Sequence, residues 1–155
     1  MFTGPWPQPY DRCVHRPFRY APPVPGPHAV ERPRLARVLA RRFDRRLVTI
    51  EAGAGFGKTT LLAQVLGHDE DVDAYVSCDS GDATPSRLLG SVLTALGRPP
   101  GDDILPTIAD VAEVVWALSP RRVCIVLDDL HRIDPAAPTI DVVSALLDEL
   151  PDNTS

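Results

Sequence analysis

The sequence predicts an α/β domain with a mainly parallel sheet. Short apolar runs rich in β-branched residues alternate with longer amphipathic segments along the chain, which is the pattern of parallel strands joined by crossover helices. Glycines close two of the amphipathic segments, as is common at helix C-termini. A chain of 155 residues, 44% apolar and 24% charged, is long enough to bury one core.

Eight elements are predicted after residue 28. Helices are expected over 31–43, 58–67, 80–97, 107–118 and 134–150, with a polar loop opening the third. Strands are expected over 47–52, 73–78 and 122–129. The first helix carries an apolar face and is followed by a strand that we expect to be buried, because it is a short apolar run between charge and glycine. The apolar face consists of Leu35, Val38, Leu39 and Phe43.

The first 28 residues differ from the rest of the chain. They hold 8 of its 17 prolines and show no periodic apolar pattern. Proline lacks an N–H donor and fixes φ, so neither a helix nor a central strand is expected here. We interpret residues 1–28 as a disordered leader, whose aromatic residues either anchor a partner or pad the domain. The domain is expected over 29–155.

Charge and cysteine usage exclude several classes of protein. The net charge of −5 disfavours direct binding of DNA or RNA. Cys13, Cys78 and Cys124 are odd in number and far apart, which argues against a disulfide framework or a metal site. Cys78 and Cys124 lie in apolar runs and are expected to be buried, and free thiols suit the cytoplasm. No apolar stretch is long enough for a signal peptide or a membrane span.

Residues 51–60, EAGAGFGKTT, fit a phosphate-binding loop. The pattern G-x-x-x-x-G-K-[ST] begins here with Ala52 instead of glycine. Glycines let several backbone N–H groups point at one oxyanion, and the next helix presents its N-terminus to the same place. Lys58 reaches the β- and γ-phosphates, Thr59 holds Mg²⁺, and Thr60 contacts the α-phosphate or caps the helix. The nucleotide contacts predicted are Ala52, Gly53, Ala54, Gly55, Phe56, Gly57, Lys58, Thr59 and Thr60.

The acidic partner for the metal is predicted at the end of the third strand, RVCIVLDD. Asp128 is expected to hold Mg²⁺, mostly through water, and Asp129 to polarise the attacking water, which makes Asp129 and Lys58 the catalytic candidates. The alternative is a strand that runs into an acidic turn. His131 is either a loop histidine or a sensor of the γ-phosphate. Asp79 and Asp82 are interpreted as turn residues rather than metal contacts.

At these residues the chain resembles a known family. RPRLARVLARRFDRRLVTI, EAGAGFGKTTLLAQ and VLDDLHRI are similar to the ATPase module of STAND-type signalling NTPases. In particular they resemble large ATP-binding LuxR-type transcriptional regulators of the maltose-activator kind. The resemblance runs from about Val30 to Leu150.

The resemblance implies a P-loop NTPase three-layer sandwich and a molecular switch. ATP and Mg²⁺ would be the cofactors, the ATP-bound form would be competent for self-association, and slow hydrolysis would reset it. Residues 29–34, around Val30 and Arg32, fall where the family contacts adenine. No membrane partner is implied.

The resemblance also predicts an incomplete fold at the C-terminus. In the family a strand with a sensor arginine follows the 134–150 helix and lies between the loop strand and the Asp128 strand. Without it, we expect the two halves of the Mg²⁺ site not to be hydrogen-bonded to each other and two buried edges to stay unpaired. Two alternatives remain open: a non-catalytic fragment that acts as an interaction module, and a general AAA-type ATPase.

Overall fold

The centre of the molecule is a small parallel sheet. The computed structural model describes residues 17–68, 70–101 and 103–154. Its two strands, β1 (Val72–Ser77) and β2 (Val123–Asp128), run parallel, with Val72 opposite Val123 and Ser77 opposite Asp128. The parallel arrangement of these two strands agrees with the predicted parallel sheet. Because the carboxyl ends of the two strands lie side by side, the residues that follow them meet at one edge of the sheet.

All five predicted helices are present among the described residues. They are α1 (Pro33–Leu39), α2 (Lys58–Val65), α3 (Pro85–Ala95), α4 (Ile108–Ala117) and α5 (Thr139–Glu149). Short 3₁₀ turns cover Pro17–Arg19, Arg42–Asp44, Ser80–Ala83 and Leu130–Arg132. Prolines begin α1 and α3, where the missing N–H would have no helical partner in any case.

The main core lies on one face of the sheet. Side chains alternate across a strand, so every second residue of β1 faces α3, α4 and α5. Leu88 and Val92 of α3 and Val111 and Val115 of α4 are fully buried against this face. The strand residues that complete the cluster are Ala74, Val76 and Val123. This burial is the largest apolar contribution to the fold.

A smaller cluster covers the opposite face of the sheet. Tyr75 of β1 packs there with Leu62 of α2 and Leu66 just after that helix, and the partly buried Val126 of β2 lies against them. Helices therefore cover both faces of the sheet. Helix α2 lies over the edge where the carboxyl ends of the two strands meet. The complete three-layer sandwich stays a prediction, because the described part of the chain has a two-stranded sheet.

The predicted strand over 47–52 is not formed. These residues have no regular secondary structure, and Leu47 and Val48 are 58% and 38% exposed. The sequence pattern was that of a buried strand, but a strand needs a neighbour for its backbone hydrogen bonds. A groove of about 1030 Å³ separates this segment from β2 and α5. The prediction of a regular strand over 47–52 is therefore wrong, and one of the two buried strand edges expected does not exist.

The C-terminal residues are fastened beside β2. Arg46 donates hydrogen bonds to the carbonyl oxygens of Leu147 and Leu150, at 2.7 and 2.8 Å. Thr154 forms an isolated parallel bridge with Val123, whose N–H donates to the Asn153 carbonyl at 2.7 Å. The outer edge of β2 is thus paired at its first residue, and the rest of that edge lines the groove.

The apolar face predicted for the first helix is only partly buried. Leu39 packs against Leu61 and Val65 of α2, but Leu35 and Val38 are 42% and 59% exposed. The structure also ends the helix at Leu39, earlier than predicted. The predicted apolar face is therefore covered at Leu39 and exposed at Leu35 and Val38, because α2 covers one end of the helix surface only.

The described end of the predicted leader contacts the domain. Residues 1–16 lie outside the described residues, so the predictions for them, including Cys13, are untested. Arg19 is 7% exposed and reaches the carboxylates of Asp79 and Asp82 and the hydroxyl of Ser91. Tyr20 packs against the main core. Arg19 and Tyr20, which lie within the predicted leader, therefore contact the folded domain.

Candidate functional site

The glycine-rich loop turns sharply before α2. Gly55 and Gly57 have φ of +78° and +74°, the left-handed region that L side chains rarely adopt. Gly57 is the residue that precedes the first turn of α2, where backbone N–H groups have no partner within the helix. The glycine spacing thus creates a turn that aims a helix N-terminus at the edge of the sheet, as predicted for an anion-binding loop.

Lys58 is the only lysine of the chain. Its Nζ donates hydrogen bonds to the carbonyl oxygens of Ala52 and Gly53, at 2.8 and 3.2 Å. The ammonium group is therefore held over the first residues of the loop. Lys58 therefore places one positive charge beside the loop, although the chain is acidic overall.

The two predicted metal-binding residues are in direct contact. The hydroxyl of Thr59, in the first turn of α2, donates to Oδ2 of Asp128 at 2.7 Å. The expectation that the two halves of the site would not be hydrogen-bonded to each other is therefore wrong at the level of side chains. The contact does not depend on backbone pairing, because α2 lies over the sheet and brings Thr59 to the end of β2 directly.

Asp128 is buried and surrounded by donors. It is 6% exposed. Oδ2 accepts a second hydrogen bond from the hydroxyl of Tyr75 at 2.9 Å, and Oδ1 accepts from the N–H of Asp129 at 2.9 Å. Burial, followed by the charge of Asp128, raises the pKa of Tyr75 above its ordinary value, so the phenol keeps its proton and acts as the donor. Tyr75 could not be singled out from the sequence, since a tyrosine in a strand is usually a core residue.

The residues after Asp128 form a tight turn. Asp129 has φ of +57°, an unusual conformation for a non-glycine residue. Its carboxylate lies 3.6 Å from Nε of Arg132 and 4.0 Å from Nδ1 of His131. The side chain of His131 is 70% exposed, which favours its interpretation as a loop histidine. Arg132 was not singled out in the sequence.

A second cavity lies on the other side of the loop. It measures about 390 Å³ and is lined by residues 26–30 and Arg32 on one wall and by α2 on the other. The Arg32 guanidinium lies 3.5 Å from where a Cβ on Gly57 would be. Gln64 donates to the carbonyl of Val30 at 3.3 Å. Val30 and Arg32, expected from the resemblance, are therefore next to the loop, while Gly26, His28 and Gln64 are lining residues that the sequence did not indicate.

Asp79 and Asp82 act as turn residues. Their side chains and backbone N–H groups form a reciprocal cap on the Ser80–Ala83 turn. The same carboxylates receive the guanidinium of Arg19. Among the described residues no cluster of three or more histidine, cysteine or acidic side chains is arranged to hold a metal ion. The interpretation as turn residues agrees with this geometry.

The predicted buried cysteines are buried. Cys78 and Cys124 are 1% and 8% exposed. Burial, with the nearby charge of Asp82, raises the pKa of the Cys78 thiol to about 12.

No described helix has the length and apolar character that crossing a membrane requires.

The fold, the glycine loop and the paired threonine and aspartate define a class of protein. The chain belongs to the AAA domain family, whose model matches residues 40–153. This match shows a P-loop NTPase domain, and it includes the loop, α2, both strands and α5.

Individual relatives are large bacterial proteins. The chain is 31% identical over 136 residues to the serine/threonine-protein kinase PknK of Mycobacterium tuberculosis, a match that covers 74% of this chain and 12% of the relative. It is 30% identical over 132 residues to the HTH-type transcriptional regulator MalT of Klebsiella pneumoniae, covering 76% and 14%. The MalT of Cronobacter sakazakii is 29% identical over 131 residues. The similarity to ATP-binding LuxR-type regulators is therefore confirmed, and the chain spans about an eighth of the length of these relatives.

Proposed function

We propose that this chain is an ATP-binding switch module, with MgATP held by the loop over 52–60 and by Asp128. The observation that carries the proposal is the 2.7 Å hydrogen bond between Thr59 and Asp128. A hydroxyl and a carboxylate beside a helix N-terminus are hard oxygen ligands next to an anion site, which is the combination that a magnesium–phosphate complex requires. These residues therefore fit the proposed cofactors.

In this proposal the two cavities bind different parts of the nucleotide. The cavity beside residues 26–32 is mostly apolar in its lining and has the size expected for a base and sugar. Gly57 and Thr60 line both this cavity and the groove that contains Lys58, Thr59 and Asp128. A nucleotide whose base occupies the first cavity would place its phosphates along the loop. The adenine contact at Val30 and Arg32 is part of this proposal.

Each residue has a defined task in the proposed site. Backbone N–H groups of the glycine loop and of α2 bind phosphate oxygens, and Lys58 leaves the carbonyls of Ala52 and Gly53 to neutralise them. Mg²⁺, when bound, offsets negative charge on the phosphates. Asp129 orients water for hydrolysis once its contact with Arg132 is released. We expect slow hydrolysis, since Asp129 is tied to a neighbouring cation.

The output of the switch is a separate part of the proposal. One relative is named as a kinase and two as HTH-type regulators, so the shared segment fits a nucleotide-dependent module that different effectors use. We propose regulation of transcription, by self-association in the ATP-bound state, as the role of the longer protein. Location in the cytoplasm and absence of direct nucleic-acid binding by this segment remain predictions.

The single lysine allows a direct test of nucleotide binding. An amine-acylating reagent followed by peptide mass spectrometry reports on Lys58 without interference from other lysines. We expect MgATP and MgADP to protect Lys58 in a concentration-dependent manner, and free Mg²⁺ to give no protection. Acylation that proceeds at the same rate at saturating MgATP would contradict the proposal.

Thermal unfolding provides the second test. A ligand at 100 times its dissociation constant adds about 2.7 kcal/mol to the free energy of unfolding. We expect this shift with MgATP in the wild-type chain and its loss in Lys58→Ala. The matched control is Arg37→Ala, which removes an exposed cation in α1 outside both cavities and should leave the shift unchanged.

The groove beside β2 supports a second candidate function. Its size of about 1030 Å³ and the residues of β2 that line it suit an interaction module that binds an extended polypeptide by edge pairing. The two candidates differ in the lysine experiment, because a non-catalytic interaction module predicts no protection by nucleotide. A general AAA-type ATPase predicts protection together with rapid turnover.

A further inference from the structure

Tyr75 reaches the proposed metal site from the face of the sheet that α2 covers. It lies in the middle of β1, is 4% exposed, and its ring packs with Leu62 and Leu66 in the smaller cluster. Its hydroxyl extends along the sheet to the end of the neighbouring strand and donates to Oδ2 of Asp128 at 2.9 Å. Packing alone would be equally well served by phenylalanine, so the hydroxyl needs a separate explanation.

The hydroxyl contacts the same oxygen as the loop does. Oδ2 of Asp128 accepts from Thr59 at 2.7 Å and from Tyr75 at 2.9 Å. Within the described residues, no basic side chain forms an ion pair with Asp128, so hydrogen bonds hold this buried carboxylate. A buried charge satisfied by a few donors is sensitive to the loss of any one of them.

Thr59 and Tyr75, the two side chains that donate to Asp128, differ in how they can respond when a cation binds. The Thr59 oxygen is itself a proposed metal ligand on the first turn of α2. The Tyr75 hydroxyl comes from a paired strand, and its side chain is buried against Leu62 and Leu66. Tyr75 is therefore the donor that can keep the orientation of Asp128 constant while the loop adjusts.

We propose that Tyr75 is a positioning residue for the divalent cation, which fixes Asp128 so that its carboxylate faces Thr59. This inference rests on the proposed function, because it concerns the affinity of the same site for Mg²⁺. It assigns a role to a strand residue outside the glycine loop and outside the acidic end of β2. The role is carried out through Asp128 and not through contact with the nucleotide.

The test is Tyr75→Phe, which removes the hydroxyl and keeps the ring. Nucleotide binding is measured by calorimetry at a series of Mg²⁺ concentrations, and Mn²⁺ binding in the presence of ATP by electron paramagnetic resonance. Loss of a residue that orients a metal ligand typically weakens metal affinity by about tenfold or more. We expect the Mg²⁺ concentration for half-maximal effect to rise about tenfold, while the affinity for ATP without metal stays at the wild-type value.

Two further variants separate positioning from a structural role. Tyr20→Phe makes the same chemical change at a tyrosine that packs on the main core, and its Mg²⁺ dependence should equal that of the wild type. In the Asp128→Asn background, Tyr75→Phe should cause no additional loss of Mg²⁺ affinity, since the hydroxyl acts through that carboxylate.

The outcomes distinguish this inference from the proposed function. Unchanged Mg²⁺ dependence in Tyr75→Phe, with a wild type that binds MgATP, overturns the positioning role alone. Equal loss of ATP affinity with and without metal also overturns it, because that result indicates a structural role for the hydroxyl. A wild type that binds no nucleotide at all overturns the proposed function and this inference together.

Discussion

Two glycines with left-handed backbone lie at the two ends of α2. Gly57 precedes the helix with φ of +74°, and Gly67 follows it with φ of +76°. An L side chain in this region costs about 1–2 kcal/mol. We predict that Gly57→Ala and Gly67→Ala each lower the free energy of unfolding by about that amount, measured by urea denaturation.

Comparison of Gly57→Ala with Gly67→Ala separates the effect of backbone strain on stability from the effect on MgATP binding. Gly57 belongs to the proposed phosphate loop, and a Cβ there would meet the Arg32 guanidinium at 3.5 Å, whereas a Cβ on Gly67 would meet open space. We therefore expect Gly57→Ala to lose the thermal shift caused by MgATP and Gly67→Ala to keep it. A normal shift in both variants would show that the loop conformation is not needed for binding.

Some residues of the site can be predicted from the sequence and others cannot. The loop over 52–60 and Asp128 can be predicted, because glycine spacing and an acidic strand end have direct physical meaning at those positions. Tyr75 and Gln64 cannot be recognised in this way. Their roles depend on which strand and which loop face them, and side chains of the same type at other positions serve only for packing.

At the scale of elements, the segment before α1 is joined to the domain by a buried arginine. Arg19 contacts Asp79 and Asp82, and Asp82 is fully buried. Removing one partner of a buried ion pair leaves an uncompensated charge and typically costs about 3–5 kcal/mol. We predict a loss of this order for Arg19→Ala in chemical denaturation.

The control for this prediction is Arg98→Ala, which removes an exposed arginine after α3. It should change the free energy of unfolding by less than about 0.5 kcal/mol. Equal stability of Arg19→Ala and Arg98→Ala would mean that residues 17–20 do not contribute to the folded domain. No local sequence pattern indicates this contact, because the two aspartates lie 60 or more residues away from Arg19.

The first turn of α4 carries a pH-dependent cap. The hydroxyl and N–H of Thr107 donate to Asp110 at 2.6 and 2.7 Å, and Asp110 N–H donates back to the Thr107 hydroxyl. These hydrogen bonds hold the pKa of Asp110 below its ordinary value of 3.8. The stabilisation is therefore present above the unfolded-state pKa and is lost as the pH falls through the folded-state pKa.

We predict that Asp110→Asn lowers the melting temperature near neutral pH and has no effect at a pH below both pKa values. Glu113→Gln, at an exposed position on the same helix, is the matched control and should have little effect at either pH. Melting followed by circular dichroism at the two pH values measures the difference. A pH-independent difference for Asp110→Asn would contradict the role of its carboxylate in the cap.

At the scale of the whole molecule, the absence of a strand over 47–52 predicts that backbone amides are unevenly protected from hydrogen exchange. Residues 47–52 have no strand partner, while β1 and β2 are paired along six residues each. Amides without stable hydrogen bonds exchange quickly. In hydrogen-exchange mass spectrometry we expect fast exchange over 47–52 and slow exchange over 72–77 and 123–128.

The comparison also tests the architecture directly. Protection over 47–52 as strong as that over β1 would indicate that this segment pairs with another strand in solution. The groove of about 1030 Å³ lies beside this segment. A strand added in the groove would slow the exchange of the amides of 47–52 and of β2 together.

The sequence by itself determined the local structure and the chemistry of the loop. Periodicity placed five helices and two of three strands, and the glycine, lysine and threonine spacing indicated the anion site, because these signals act over a few residues. Tertiary structure decided the rest. It left 47–52 without a partner, brought Thr59 to Asp128, and buried Arg19 between two aspartates. Each of these depends on residues distant in the chain, whose approach is set by the packing of whole elements on the sheet.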